Sequence, residues 1–302
     1  MAQNQKALFT LKLILNRRIK TMNKIYQQIT DKIIAQLEAG TIPWRKPWKG
    51  ATSTPKNLIS GKAYSGINFF ILAMSAYDSP YFLTYKQAKA LGGNVCKGEK
   101  GTHVIYYGVG KDKKEDNKSF RFLKQYVVFN VDQCENLDHS RIEEAKDIEP
   151  LEFNPIEKAE AIYNGYIGKP KLQFVENQAY YRPLTDVINM PQKESFHSVE
   201  EYYCCLFHEC IHSSGSKKRL NRPELTDLNA FGSHDYSKEE LTAEFGAAYL
   251  CAIAGIDNTL ENSSAYIKGW LSKLKNNNDW LVGAASKAQK AADYIQGNLD
   301  KN

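Results

Sequence analysis

Apolar residues at Ile25, Ile29, Ile33, Ile34 and Leu37 fall at three- and four-residue steps, which predicts a helix over 22–39 that Gly40 ends. The loop that follows contains Pro43 and Pro47 and cannot continue a regular helix. An extended stretch from Pro55 then enters a helix carrying Phe69, Phe70, Leu72 and Ala73, and residues 81–91 read as a strand edge and a short helix. Val104 to Tyr107 and Tyr126 to Val131 read as paired strands joined by the charged segment 110–120. A second group of elements begins at Pro155 with a helix to Tyr166. Short strands follow at 172–175, 179–182 and 187–191, and then a strongly apolar run, Tyr202 to His212. Ser237 to Leu250 reads as a helix opened by a Ser237/Glu240 capping box, and Ser263 to Leu299 as a helical tail. The fold class is α+β. The expected division is an extension over 1–21, a domain over 22–137, a linker over 138–154 and a second domain over 155–302.

The run before 212 ends in His208-Glu209-Cys210-Ile211-His212. Residues four apart share a helix face, so both imidazoles can reach one ion, with Glu209 beside the first. Zn²⁺ is the expected ion, other divalent metals being alternatives. It takes imidazole nitrogens, keeps one position open for water and lowers that water's pKa toward ~7, leaving Glu209 as general base. The same run also suits a plain core helix.

A third ligand is needed. Lys218 stands where a metzincin-type pattern would place its last histidine, so that pattern fails. Glu240 is assigned as ligand and Glu244, one turn later, as the acid behind a ligand histidine, a layout resembling the glutamate-zincins. Exchange of these roles, or use of Glu239, stays open, because first-turn acids are also favoured by the helix dipole. Cys205 ranks below Glu240. His234 or Tyr236, read as a loop, is an expected oxyanion donor.

Charge separates the two halves. Residues 1–150 carry 24 Lys and Arg against 14 Asp and Glu, and residues 151–302 carry 16 against 20. A basic first half fits a polyanion. Trp44, Trp48 and Tyr64 interleave with Arg45, Lys46, Lys49 and Lys62, the composition of a site where bases stack on rings and phosphates meet cations. The alternative is that both tryptophans are core. The six cysteines form no CxxC pair, which suits a reducing cytoplasm. No apolar run approaches the ~18 residues of a membrane span, and the short apolar stretch in 1–21 makes a poor secretory signal.

Two blocks carry a resemblance to a known family. The first holds Pro43-Trp44-Arg45-Lys46-Pro47-Trp48, Asn57, Tyr64, Gly66-Ile67-Asn68, Thr84, Gln87 and Gly98-Glu99-Lys100-Gly101. The second holds Tyr180-Tyr181, Asp186, Met190-Pro191, His208-Glu209, His212-Ser213-Ser214-Gly215, Arg219, Glu239-Glu240 and Trp270. Over roughly Met22 to Ile295 the chain resembles the ArdC-type antirestriction proteins of conjugative plasmids and related mobile elements. The resemblance implies an N-terminal single-stranded DNA-binding domain, followed by a zincin-like metallopeptidase domain that acts on a peptide or protein or holds its metal structurally. Asn68, Lys86, Gln87, Lys97 and Lys100 join the DNA-binding candidates. Competing readings are a stand-alone metallopeptidase and a DNA-binding protein whose metal is structural only.

Overall fold

The computed structural model describes residues 24–45, 54–75, 77–111, 119–138, 155–226, 234–256, 264–275, 277 and 279–298. Helix α1 (24–38) buries Ile25, Ile29, Ile33 and Leu37, the stripe expected from their spacing. Gly40, at φ 80°, ends it: its N–H reaches Leu37 O at 3.0 Å and the N–H of Thr41 reaches Gln36 O at 2.9 Å. A left-handed residue is needed there, and glycine adopts it without Cβ strain.

Four strands form the N-terminal sheet in the order β1-β2-β5-β4: β1 (Lys56–Asn57), β2 (Tyr81–Leu83), β4 (Thr102–Lys111) and β5 (Ser119–Asn130). A separate pair joins β3 (Asn94–Val95) to β6 (Cys134–Glu135). The long antiparallel ribbon β4–β5 pairs Val104 with Tyr126 and Tyr106 with Lys124. Helix α2 (Ile67–Ala73) lies along the outer edge of β4, where the Asn68 amide donates to Ile105 O at 2.7 Å and accepts from Ile105 N at 2.8 Å. Those two bonds satisfy backbone groups that an edge strand otherwise leaves open. Helix α3 (Tyr85–Ala90) starts from a Thr84/Gln87 capping box.

The second half begins with α4 (Pro155–Gly165) and a small sheet, β7 (Lys171–Gln173), β8 (Tyr180–Arg182) and β9 (Val187–Asn189), in the order β7-β9-β8. Helix α5 (Val199–Ser214) carries the histidines and is followed by α6 (Pro223–Thr226), α7 (His234–Ala254), α8 (Ser264–Leu274) and α9 (Trp280–Ile295). One expectation is corrected here and one is refined. Helix α7 starts at His234, so Ser237 lies inside it, buried, and cannot be its cap. The tail is two helices, because the run from Asn276 to Asp279 consists of side chains that compete with helical hydrogen bonds.

The two halves share one hydrophobic core. The Trp44 ring, fully buried, meets Phe245 at 5.1 Å and Trp270 at 5.9 Å, both edge to face. Phe70 packs on Phe245 at 4.3 Å. The Tyr249 hydroxyl donates to Gly66 O at 2.7 Å, and Gly66 N–H donates to Gln289 at 3.3 Å. Trp44 therefore does not offer a stacking surface. Alternation of cations with rings over a few residues does not show which way a ring points. Among the described residues, no helix is long and apolar enough to cross a membrane.

Trp44→Ala in the full chain is expected to cost about 3–5 kcal/mol of stability through the cavity it leaves. A thermal melt checks this, and a melt unchanged from wild type would show that the ring is not core.

Candidate metal centre

Helix α5 is set by Ser198, whose hydroxyl accepts from Glu201 N–H at 3.1 Å, while the Glu201 carboxylate accepts from His197 N–H at 2.9 Å. One face carries Tyr202, Leu206 and Phe207 into the core. The opposite side brings His208 and His212 together with their Nε2 atoms 3.1 Å apart. From α7, the Glu240 carboxylate lies 3.6 Å from His208 Nε2 and 3.4 Å from His212 Nε2. One donor atom from each of the three falls within 4.8 Å of the others. Glu209 is buried beside them, and its charge acts on His208.

Two glycines make this convergence sterically possible. A Cβ on Gly246 would stand 2.5 Å from Ile211 Cδ1, so α7 can approach α5 only because that side chain is missing. A Cβ on Gly215 would stand 2.6 Å from the Arg222 guanidinium. In the space so provided, Arg222 donates to Ile211 O at 2.7 Å, to Ser214 Oγ at 2.8 Å and to both oxygens of Glu239, at 2.5 and 2.9 Å. Glu239 in turn lies 3.1 Å from His212 Nδ1. With a carboxylate accepting there, Nδ1 keeps its proton, and Nε2 is the atom turned toward the point shared with His208 and Glu240, its lone pair available to a metal once its own proton is displaced.

Glu239 is therefore the acid hydrogen-bonded behind His212, the role the sequence reading gave to Glu244. Glu244, one turn further and nearly buried, acts on His208 through its charge. Arg222 carried no recognisable spacing and was not found from sequence; only the turn after α5 brings it back.

Electrostatics agree with a cation site. Burial opposes charge on His212, yet Glu240 and Glu239 hold its pKa well above the usual imidazole range. His208 is raised as well, burial being outweighed by its hydrogen bond to Glu240. Burial also opposes ionisation of Glu240, but the charge of His212 and hydrogen bonds from both histidines hold it far below the ordinary carboxylate range. Such a cluster binds positive charge strongly, which fits a divalent ion. Cys205 is a poor competitor, since burial and then the Glu209 charge push its thiol up to about 12. The site opens to solvent: the side chains of His208 and Glu240 are 21% and 26% exposed. Tyr236 lies in the first turn of α7, its phenol raised by burial and by a hydrogen bond to Glu240.

A second network fixes the end of α5. Arg219 donates to Ser213 O at 2.7 Å and Gly168 O at 2.9 Å, and pairs with Asp186 in the turn between β8 and β9. Tyr181 also donates to Asp186, at 2.8 Å. Burial alone would raise the Asp186 carboxyl, but these hydrogen bonds and the Arg219 charge hold it below the usual value.

Three of the described DNA-binding candidates are committed within the fold. Trp44 is core. The Asn68 amide is committed to β4, and that of Gln87 to the α3 cap and to Asn57. Lys62, Lys86, Lys97 and Lys100 are exposed, and Tyr64 is half-buried against Phe82. Arg45 closes the short helical turn from Pro43, while Lys46, Trp48 and Lys49 lie outside the described residues.

Two substitutions test these networks. Arg222→Met strands the Glu239 charge, and is expected to cost about 3–5 kcal/mol in denaturant unfolding. It is also expected to weaken metal binding by about 10–100-fold, since Glu239 no longer holds His212 firmly; unaltered affinity in the folded variant would give Arg222 a purely structural role. Asp186→Asn is expected to cost about 1.5–3 kcal/mol at pH 7. Because the folded carboxyl titrates below the ~3.9 of the unfolded chain, the wild-type advantage is present above that pH and disappears as pH falls through the folded value. Urea midpoints between pH 7 and pH 2 check this, and a gap that widens in acid would reverse the assignment.

Comparison with known proteins agrees with both halves. Residues 23–129 match the N-terminal domain of anti-restriction factor ArdC, and residues 157–287 match a zincin-like metallopeptidase family. The Sinorhizobium fredii protein y4eC is 34% identical over 299 residues, covering 93% of this chain and 94% of that one. A DNA primase TraC of Escherichia coli is 33% identical over 288 residues, but the match spans 89% of this chain and only 27% of the primase. Crystal structures of antirestriction protein ArdC from plasmid R388, one metal-free and one with Mn(II), share 38% identity, cover 91% of this chain and 98% of theirs, and superpose with TM-scores of 0.71 and 0.72. The donor set here and the Mn(II)-bound relative together point to a divalent metal. With an ArdC-type N-terminal domain joined to a zincin-like one over nearly its whole length, this chain belongs to the ArdC antirestriction family.

Proposed function

We propose that the protein binds single-stranded DNA through its basic N-terminal half, holds Zn²⁺ on His208, His212 and Glu240, and protects the DNA of a mobile element from restriction. The observation that carries the metal reading is the convergence of two imidazole Nε2 atoms and one carboxylate on a point open to solvent. A purely structural zinc is usually closed by four protein ligands. Here, among the described residues, three converge. The DNA reading is supported by the charge of the first half, the ArdC-type N-terminal domain and a plasmid-borne relative.

A divalent ion held by His208, His212 and Glu240 would supply Lewis acidity, lowering the pKa of a water and polarising a substrate carbonyl. Glu209 takes the proton from the nucleophile and passes it to the leaving nitrogen. Tyr236, in the first turn of α7 with its phenol toward Glu240, donates to the oxygen on which negative charge develops. Glu239 and Arg222 keep the His212 ring in the tautomer that presents Nε2.

Glu209→Gln should retain one equivalent of zinc by metal analysis and lose hydrolysis of a denatured protein substrate. His208→Ala should lose the metal as well. Loss of zinc in Glu209→Gln would make Glu209 a structural or ligating acid. If Glu209→Gln still protects transferred DNA in a conjugation assay against a restricting host, hydrolysis is not the protective act.

The full chain should bind single strands more tightly than duplex, with affinity falling as salt rises at a slope of about −0.7 per phosphate contact. Equal affinity for both forms would leave only generic polycation attraction.

A further inference from the structure

Burial of Trp44 removes one of the stacking rings expected for a single strand. Two tyrosines stand out on the β4–β5 ribbon: Tyr106 is 53% exposed and Tyr126 44% exposed. Their ring centroids are 6.4 Å apart with 74° between the planes. The register explains why they meet. Tyr126 faces Val104, and Tyr106 faces Lys124, so the two tyrosines are diagonal neighbours on one face of the sheet. Toward the base of the ribbon the same face is covered: Val104 and Val128 are buried in a cluster with Phe82 and Leu72, against which Tyr64 packs. Beyond that cluster, among the described side chains, the exposed large ones on this face are Tyr106, Tyr126 and Lys124.

We propose that this open face of the β4–β5 ribbon is the base-stacking platform for single-stranded nucleic acid, with Tyr106 and Tyr126 as the stacking rings. The proposal rests on the single-strand reading above and says where on the fold it is carried out. Charge complementarity selects the occupant. On this face Lys124 stands directly opposite Tyr106, while Lys111 and Arg121 alternate to the other face, and neither strand contains an Asp or a Glu. Exposed Lys62 lies two residues before Tyr64, which packs at the covered end of the face. A flat ring beside a cation, with no acid on either strand, suits an unpaired base followed by its phosphate. Duplex does not fit the same way, because stacking within the helix hides its base faces. The two rings lie at a steep angle to each other, so each receives a separate, splayed base, a conformation open to a single strand only.

The test uses the full chain and a fluorescein-labelled oligothymidine of about 20 nucleotides, titrated at several salt concentrations. Tyr106→Ala with Tyr126→Ala should weaken binding by about tenfold or more while leaving the salt slope nearly unchanged. Tyr106→Phe with Tyr126→Phe should bind like wild type, since the ring is kept. Lys124→Ala should flatten the slope instead. If the double alanine variant melts early, the Leu pair keeps apolar bulk without a flat ring and should show the same loss. Photocrosslinking of an iododeoxyuridine-substituted strand to wild type gives an independent reading, with the adduct expected on Tyr106 or Tyr126. A folded alanine variant with wild-type affinity, or an adduct confined to another element, overturns the platform while leaving single-strand binding intact. A wild-type chain that does not bind the strand at all defeats the single-strand reading itself.

Discussion

The candidate centre depends on one buried charge. Glu239 has no exposed side-chain surface, and a lone carboxylate there would be strongly unfavourable. It is tolerated because Arg222 grips both of its oxygens and His212 offers it a proton. That arrangement joins three segments: the end of α5, the turn that carries Arg222, and α7. The glycines at 215 and 246 let them come close enough. Once Glu239 is fixed, its neighbour Glu240 projects toward the two histidines on the next position of the same helix. The ligand geometry is therefore a consequence of where the buried ion pair sits.

The basic half is attached to this arrangement through a common core. Helix α7, which supplies Glu239 and Glu240, also supplies Phe245 and Tyr249 to the seam with Trp44, Phe70 and Gly66. The helix that carries Glu240, one of the three candidate metal ligands, thus also packs against the N-terminal half. Trp44, set among prolines and cations, serves as the bolt of that seam. The ribbon that exposes Tyr106 and Tyr126 projects from the same half, on a sheet whose outer edge is sealed by Asn68.

How far sequence alone reaches can be argued from single residues. His208 and His212 were legible because helical spacing places them on one face whatever the rest of the fold does. Glu240 was legible as a class, a carboxylate on the next helix, but its separation from Glu239 was not. Adjacent acids differ by about a hundred degrees around a helix, and only the true helix start and the crossing at Gly246 decide which one points at the metal. Arg222 was invisible because its contacts come from a turn with no periodic signal. The strand pair was readable from its β-branched and aromatic runs. Burial of Trp44 was not, because local composition reports the neighbours of a ring in sequence and not in space. The tyrosines at 106 and 126 were read as strand residues, and only the register shows that they lie together on an open face.

The central claim is that two imidazoles and the Glu240 carboxylate, with Glu239 held back behind His212, make the metal site. X-ray absorption on the full chain loaded with one equivalent of Zn²⁺ addresses it directly. The account requires two imidazole nitrogens and light oxygen donors, all at about 2.0–2.2 Å, with the same first shell in Cys205→Ser. A sulfur at about 2.3 Å, or a shell with fewer than two imidazoles, would contradict it.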